Sequence, residues 1–127
     1  MAKATRATVV YIVDDDDAVR DGFARLLRAA GLDPRPYQSP EQFLDDITLL
    51  PGTCILLDIT MPRMTGLEVQ ARLKSKDVAP SIIIVSARDD EETRKLARNL
   101  GARMFLRKPV DDQALLDAIS WVTSSNR

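Results

Sequence analysis

Five short apolar runs alternate with five stretches of helical periodicity along this chain, and that alternation leaves few folds open. Residues 9–13 (Val-Val-Tyr-Ile-Val) form a β-branched run stopped by Asp14. Residues 53–57 stop at Asp58 and residues 81–85 at Ser86, while 33–37 and 103–106 read as a weaker and a shorter strand. Between them Phe23, Leu26, Leu27 and Ala30 recur at i, i+3, i+4 and i+7, with Gly31 as a C-terminal stop. Ser39, Pro40 and Gln42 are the N-cap, N1 and N3 residues of a second helix, which carries Phe43, Leu44 and Ile47. Pro51-Gly52 reads as a turn, and Gly66 opens a helix bearing Leu67, Ala71 and Leu73. Residues 90–100 place acids before bases, which suits the helix macrodipole, and Gly101 ends them. Asp111 or Asp112 caps a last helix with Leu115, Ala118, Ile119 and Val122 on one face.

Strand–helix alternation of this kind predicts an α/β fold: a (βα)5, doubly wound, parallel five-stranded sheet in the order 2-1-3-4-5. The expected domain covers residues 8–122, with polar tails at 1–7 and 123–127. At 127 residues the chain is long enough to bury one core unaided.

Composition removes several chemistries. The chain has 0 histidines, so it holds no Ser-His-Asp or Cys-His arrangement and no imidazole acid or base. Its 1 cysteine, Cys54, forms no internal disulfide. A net charge of -1 argues against direct nucleic-acid binding by this domain. The run at 9–13 is too short for a signal-peptide core or a membrane span, so the expectation is a cytoplasmic chain without a membrane partner. The acids are lopsided, 15 Asp against 4 Glu. Aspartate caps helices, makes turns and binds hard cations.

In an open α/β sheet, functional groups collect beyond the carboxyl ends of the strands. Here those ends carry Asp14 and Asp15, Asp58, Ser86 and Lys108. The order 2-1-3-4-5 sets strands one and three about 4.8 Å apart, so Asp15 and Asp58 converge. Carboxylates that close repel unless one protonates or a cation binds, and a hard divalent ion such as Mg²⁺ suits them. Cation plus ammonium is the clamp that a transferring phosphoryl group needs, and Ser86 can donate to a third oxygen. Asp58, central in the sheet, is the natural nucleophile. Each residue alone has an ordinary structural account: a cap for the Asp14 to Asp17 run, a loop serine, a loop lysine. Only their arrival at one sheet edge makes a site. Any histidine-borne phosphoryl group must come from another protein.

At these residues the chain resembles the receiver domains of two-component response regulators. Val13-Asp14-Asp15, the run from Asp58 to Gly66 (Asp-Ile-Thr-Met-Pro-Arg-Met-Thr-Gly), Ser86-Ala87 and Lys108-Pro109 carry the resemblance in order and spacing. Gly66-Leu67-Glu68-Val69-Gln70 and residues 111–116 look most like FixJ-type receivers. The resemblance implies a flavodoxin/CheY-like fold and a phosphoacceptor role for Asp58. It implies Mg²⁺ held by Asp15, Asp58 and the carbonyl of Thr60, with Asp14 acting through water. Ser86 would move toward the phosphoryl group, Phe105 would be the aromatic switch behind it, and Lys108 would bind a phosphoryl oxygen beside a cis bond to Pro109. The phosphodonor would be a sensor histidine kinase. The output would leave through the 90–122 face, by docking or homodimerisation, with Trp121 either a contact there or a core or edge packing residue.

The chain departs from the pattern at Val110, where many receivers have Phe, and at Ser86-Ala87-Arg88-Asp89. Arg88 is expected to reach the phosphoryl edge and, with Thr60, to modulate the lifetime of the aspartyl-phosphate. Three alternatives fit less well. A haloacid-dehalogenase-type phosphatase expects a second Asp where Thr60 stands, and a flavodoxin-like cofactor binder expects a glycine- and hydroxyl-rich loop where four aspartates stand. A degenerate docking module would have lost chemical positions that are all filled here.

Overall fold

The computed structural model describes residues 8–47, 53–75 and 80–124. Its elements are β1 (Val9–Val13), α1 (Asp17–Ala29), β2 (Asp33–Tyr37), α2 (Pro40–Asp46), β3 (Cys54–Leu57), α3 (Gly66–Lys74), β4 (Ser81–Ser86), α4 (Glu91–Asn99), β5 (Ala102–Arg107) and α5 (Asp112–Ser124). All strand pairs are parallel and the order is β2-β1-β3-β4-β5. The expected doubly wound sheet is therefore the observed one.

The continuous apolar runs have a physical reason. Successive side chains on a strand point to opposite faces, and both faces of this sheet are covered. Tyr11, Val13, Ile55, Leu57, Ile82 and Ile84 bury against Phe43 of α2, Val69 and Leu73 of α3 and Ala97 of α4. Val10, Ile12, Cys54, Leu56, Ile83 and Val85 bury against Ala24 and Leu27 of α1 and Leu115, Ala118, Ile119 and Val122 of α5. Strand β2 contains Pro34 and Pro36, which lack a donor, and it lies at the sheet edge, where proline is tolerated.

The helix starts follow local chemistry. Asp16 caps α1 by accepting from Val19 N–H, and Ser39 caps α2 by accepting from Gln42 N–H. Thr65 and Glu68 form a reciprocal capping box at α3, and Asp90 caps α4. For α5 the cap is Asp111, whose carboxylate accepts from Ala114 N–H, and Asp112 is only a first-turn acid. Gly31 (φ 84°) and Gly101 (φ 105°) follow α1 and α4 in the left-handed region that favours glycine.

Several boundaries differ from expectation, β5 for one running Ala102–Arg107 where the sequence predicts 103–106. β3 begins at Cys54, with the buried Thr53 carbonyl accepting from Ser81 N–H just before it. The polar residues Thr123 and Ser124 continue α5, and their hydroxyls donate to the carbonyls of Ile119 and Ser120, each at 2.7 Å. The expected turn at Pro51-Gly52 and the tail residues 1–7 and 125–127 lie outside the described residues.

Candidate functional site

Strand register sets the floor of the site. Val13 pairs with Leu57, so Asp14 and Asp58, which follow them, emerge side by side at the carboxyl end of the sheet. Asp58 N–H donates to the Val13 carbonyl and Asp14 N–H to the Tyr37 carbonyl, at 3.1 and 3.2 Å, which extends the ladder one step past the strands. The buried Asp14 and Asp58 and the exposed Asp15 each offer an oxygen, and these oxygens lie within 4.8 Å of one another. Lys108 reaches in from the end of β5. Its Nζ is 2.9 Å from Asp14 Oδ2 and 3.6 Å from Asp58 Oδ2.

Electrostatics follow from that packing. Burial pushes the Asp58 carboxyl up to about 6, and Asp14 and Asp15 add to the effect while Lys108 and Thr60 N–H oppose it. Burial works to lower the Lys108 ammonium, but its bond to Asp14 and the charge of Asp58 outweigh this and hold it above its usual value. Three carboxylates against one ammonium leave the pocket short of positive charge. The donor set is all oxygen, one of its members opens to solvent, and so the residues fit a hard divalent cation that keeps some of its waters.

Other expected residues take places around this centre. Thr60 is exposed, and its N–H donates to Asp58 Oδ1 at 3.4 Å. Ser86, fully buried at the end of β4, accepts from Arg88 N–H through its hydroxyl, and its carbonyl accepts from Lys108 N–H at 2.9 Å. The Lys108–Pro109 bond is cis. Phe105 pairs in register with Ile84 and is half-buried, with the Arg94 guanidinium 5.1 Å from its ring centroid. The Arg88 side chain is engaged elsewhere, since its Nε lies 3.0 Å from Asp90 Oδ1 in an exposed ion pair. Trp121 is 55% exposed, which removes it from the core, and Arg103 covers its ring at 5.6 Å.

Two contributors were not legible as site residues. A Cβ on Gly66 would stand 2.4 Å from the Asp58 carbonyl oxygen, so only glycine lets α3 begin directly beneath the central aspartate. Arg20 on α1 donates to the Asp14 carbonyl at 2.8 Å and also pairs with Asp17. A groove of about 760 Å³ adjoins the site, with Ala18, Gly22, Leu26, Lys108, Pro109 and Val110 in its lining.

Known proteins are similar to this chain in sequence and fold. The transcriptional regulatory protein TdiR of Thauera aromatica is 38% identical over 126 residues, covering 98% of this chain and 55% of that protein. FixJ of Azorhizobium caulinodans is 37% identical over 110 residues, covering 87% of this chain and 52% of that protein. The chain thus spans about half the length of these relatives. Among solved structures, full-length FixJ from B. japonicum superposes with a TM-score of 0.87 at 31% identity, over 97% of this chain and 61% of that one. A CheY-like receiver domain protein from Methanospirillum hungatei JF-1 matches in fold, with a TM-score of 0.87 at 24% identity over 95% of this chain and 97% of that one. No helix among the described residues is long and apolar enough to cross a membrane. The profile of the response regulator receiver domain matches residues 10–120, and the chain belongs to that family.

Proposed function

We propose that this chain is a phosphorylation-controlled switch of a two-component system, with Asp58 as the acceptor of a phosphoryl group carried on a histidine of a partner sensor kinase. The observation that carries the reading is the position of Lys108 Nζ, within 2.9 and 3.6 Å of two members of a three-carboxylate cluster at the end of a parallel sheet. In the transfer, an Asp58 oxygen forms a bond to phosphorus as the donor's nitrogen–phosphorus bond breaks, and the imidazole leaves. Asp15, Asp58 and the Thr60 carbonyl, with Asp14 acting through water, would hold Mg²⁺, which would supply positive charge to the equatorial oxygens. Lys108 neutralises a further oxygen. Ser86 donates its hydroxyl to another, leaving Arg88 N–H, and the half-buried Phe105 follows inward. Receivers are signalling modules, and the chemistry assigned here is limited to gain and loss of the chain's own phosphoryl group.

The apolar groove beside Lys108 would be the docking surface for the phosphodonor protein. Charge at Asp58 biases the Ser86 and Phe105 elements between two states and is read on the 90–122 face, where Leu96 and Trp121 are exposed. That face is suited to homodimer formation or docking. TdiR and FixJ are named transcriptional regulators, so the output we propose is control of transcription, exerted in the cytoplasm without nucleic-acid contact by this domain. Arg88 and Thr60 would govern access of the hydrolytic water, and Arg88 must leave Asp90 to do so.

Incubation with Mg²⁺ and acetyl phosphate, followed by intact-mass measurement, tests the reading. One phosphoryl adduct is expected in the parent and none in Asp58→Asn. An adduct retained in Asp58→Asn overturns the acceptor assignment, and no adduct in the parent returns the chain to a docking module.

A further inference from the structure

The β1–α1 turn carries four consecutive aspartates, Asp14 to Asp17, whose mutual repulsion opposes any one fixed shape. The turn is nevertheless closed by a short circuit of bonds. Asp14 Oδ1 accepts from Asp16 N–H at 2.9 Å, and Asp16 Oδ1 accepts from Val19 N–H at 3.1 Å. One α1 side chain spans both ends of the run: Arg20 donates through one nitrogen to the Asp14 carbonyl at 2.8 Å and through the other to the Asp17 carboxylate. The Arg20 side chain is only 13% exposed, although its partner Asp17 is 77% exposed, so the guanidinium lies inward, under the turn.

We propose that Arg20 is a positioning residue for the acidic pocket, holding the turn in the shape that presents Asp14 and Asp15 to a divalent cation. The proposal rests on the reading of that pocket as a Mg²⁺ and phosphoryl site. With Arg20 in place, every polar group of Asp14 is engaged: N–H to Tyr37, carbonyl to Arg20, one carboxylate oxygen to Asp16 and the other to Lys108. The following residue, Asp15, is left to complete the convergent oxygens. A planar guanidinium can hold two acceptors in fixed directions, which an ammonium cannot.

Charge and positioning predict opposite signs. Arg20 is a cation near the pocket, so electrostatics alone says that removing it tightens Mg²⁺ binding. Positioning says that removing it weakens binding, as loss of an outer partner of metal ligands does.

Titration calorimetry with MgCl₂ on the unphosphorylated full chain, together with hydrogen exchange of the Asp16 amide in EDTA, decides between them. Arg20→Ala is expected to weaken Mg²⁺ affinity roughly 10-fold and to speed Asp16 exchange. Arg20→Lys, which keeps the charge and can reach one acceptor, is expected to fall between, and it carries the test if the alanine variant does not fold. Equal or tighter Mg²⁺ binding in Arg20→Ala, or wild-type affinity and exchange in Arg20→Lys, overturns the proposal while leaving the site reading intact. A parent chain that takes up no Mg²⁺ overturns both.

Discussion

Lys108, 94 residues from Asp14 in sequence, bonds its carboxylate at 2.9 Å from across the sheet edge. The pair links the first and last strands of the site through the low-dielectric floor between them. Replacing Lys108 by Met leaves two buried carboxylates facing each other without their ammonium. Urea denaturation in EDTA is expected to register a loss of about 2 kcal/mol, largely recovered in Mg²⁺, with labelling by acetyl phosphate slowed about 100-fold. A variant as stable as the parent in EDTA would show that the ammonium does not neutralise the pocket.

Asp58 should make the metal-free chain less stable as pH rises. Its carboxyl stands at about 6 in the folded state, against about 3.9 unfolded. Between those values the folded state binds the proton more tightly, so stability falls with rising pH and the penalty is complete above pH 6. Asp58→Asn removes the charge. In EDTA at pH 7.5 the variant is expected to be more stable than the parent by about 1–2 kcal/mol, allowing for solvent screening at the pocket mouth. The gap should close below pH 4 and in Mg²⁺. Thermal melts across pH 3.5–8 check this, and a gap that is constant with pH would refute the cause.

Gly22 sits inside α1 with nothing within 4 Å of where a Cβ would go. Gly22→Ala should therefore stabilise the helix by about 0.5–1 kcal/mol. The same methyl projects into the groove beside Lys108. Transfer from a phosphohistidine protein is expected to slow while labelling by acetyl phosphate does not change. Equal slowing with both donors would remove the groove from the docking surface.

Gly66 gives the opposite result for the same substitution. A Cβ there would lie 2.4 Å from Asp58 O and 2.9 Å from Ile59 Cα, both backbone atoms that cannot rotate away. Gly66→Ala is expected to cost at least about 2 kcal/mol and to displace the acceptor, lowering both the melting temperature and the acetyl phosphate labelling rate. A melt within a degree of the parent would refute the close approach.

Much of this architecture was legible because its causes are local. Apolar runs stopped by Asp14, Asp58 and Ser86, and the cap at Ser39, declare strands and helices within a few residues of chain. The Thr65–Glu68 capping box has an equally local cause, a threonine three residues before a glutamate. The choice of Asp111 over Asp112 as the last cap was not decidable, since both neighbours carry the same carboxylate. Arg88 was expected at the phosphoryl edge, yet Asp90, two residues away, takes its side chain in the structure.

By itself the sequence determined the order of elements, the two buried faces of each central strand and the residue types at the strand ends. Side-chain periods of two and 3.6 are properties of the chain alone. Tertiary structure alone decided which bonds the converging charges make. Lys108 chooses Asp14 at 2.9 Å over Asp58 at 3.6 Å, and Arg20 turns inward to the Asp14 carbonyl and not outward to water. Such choices depend on distances between elements, set by sheet register and helix packing, and on the burial that strengthens one pairing over another.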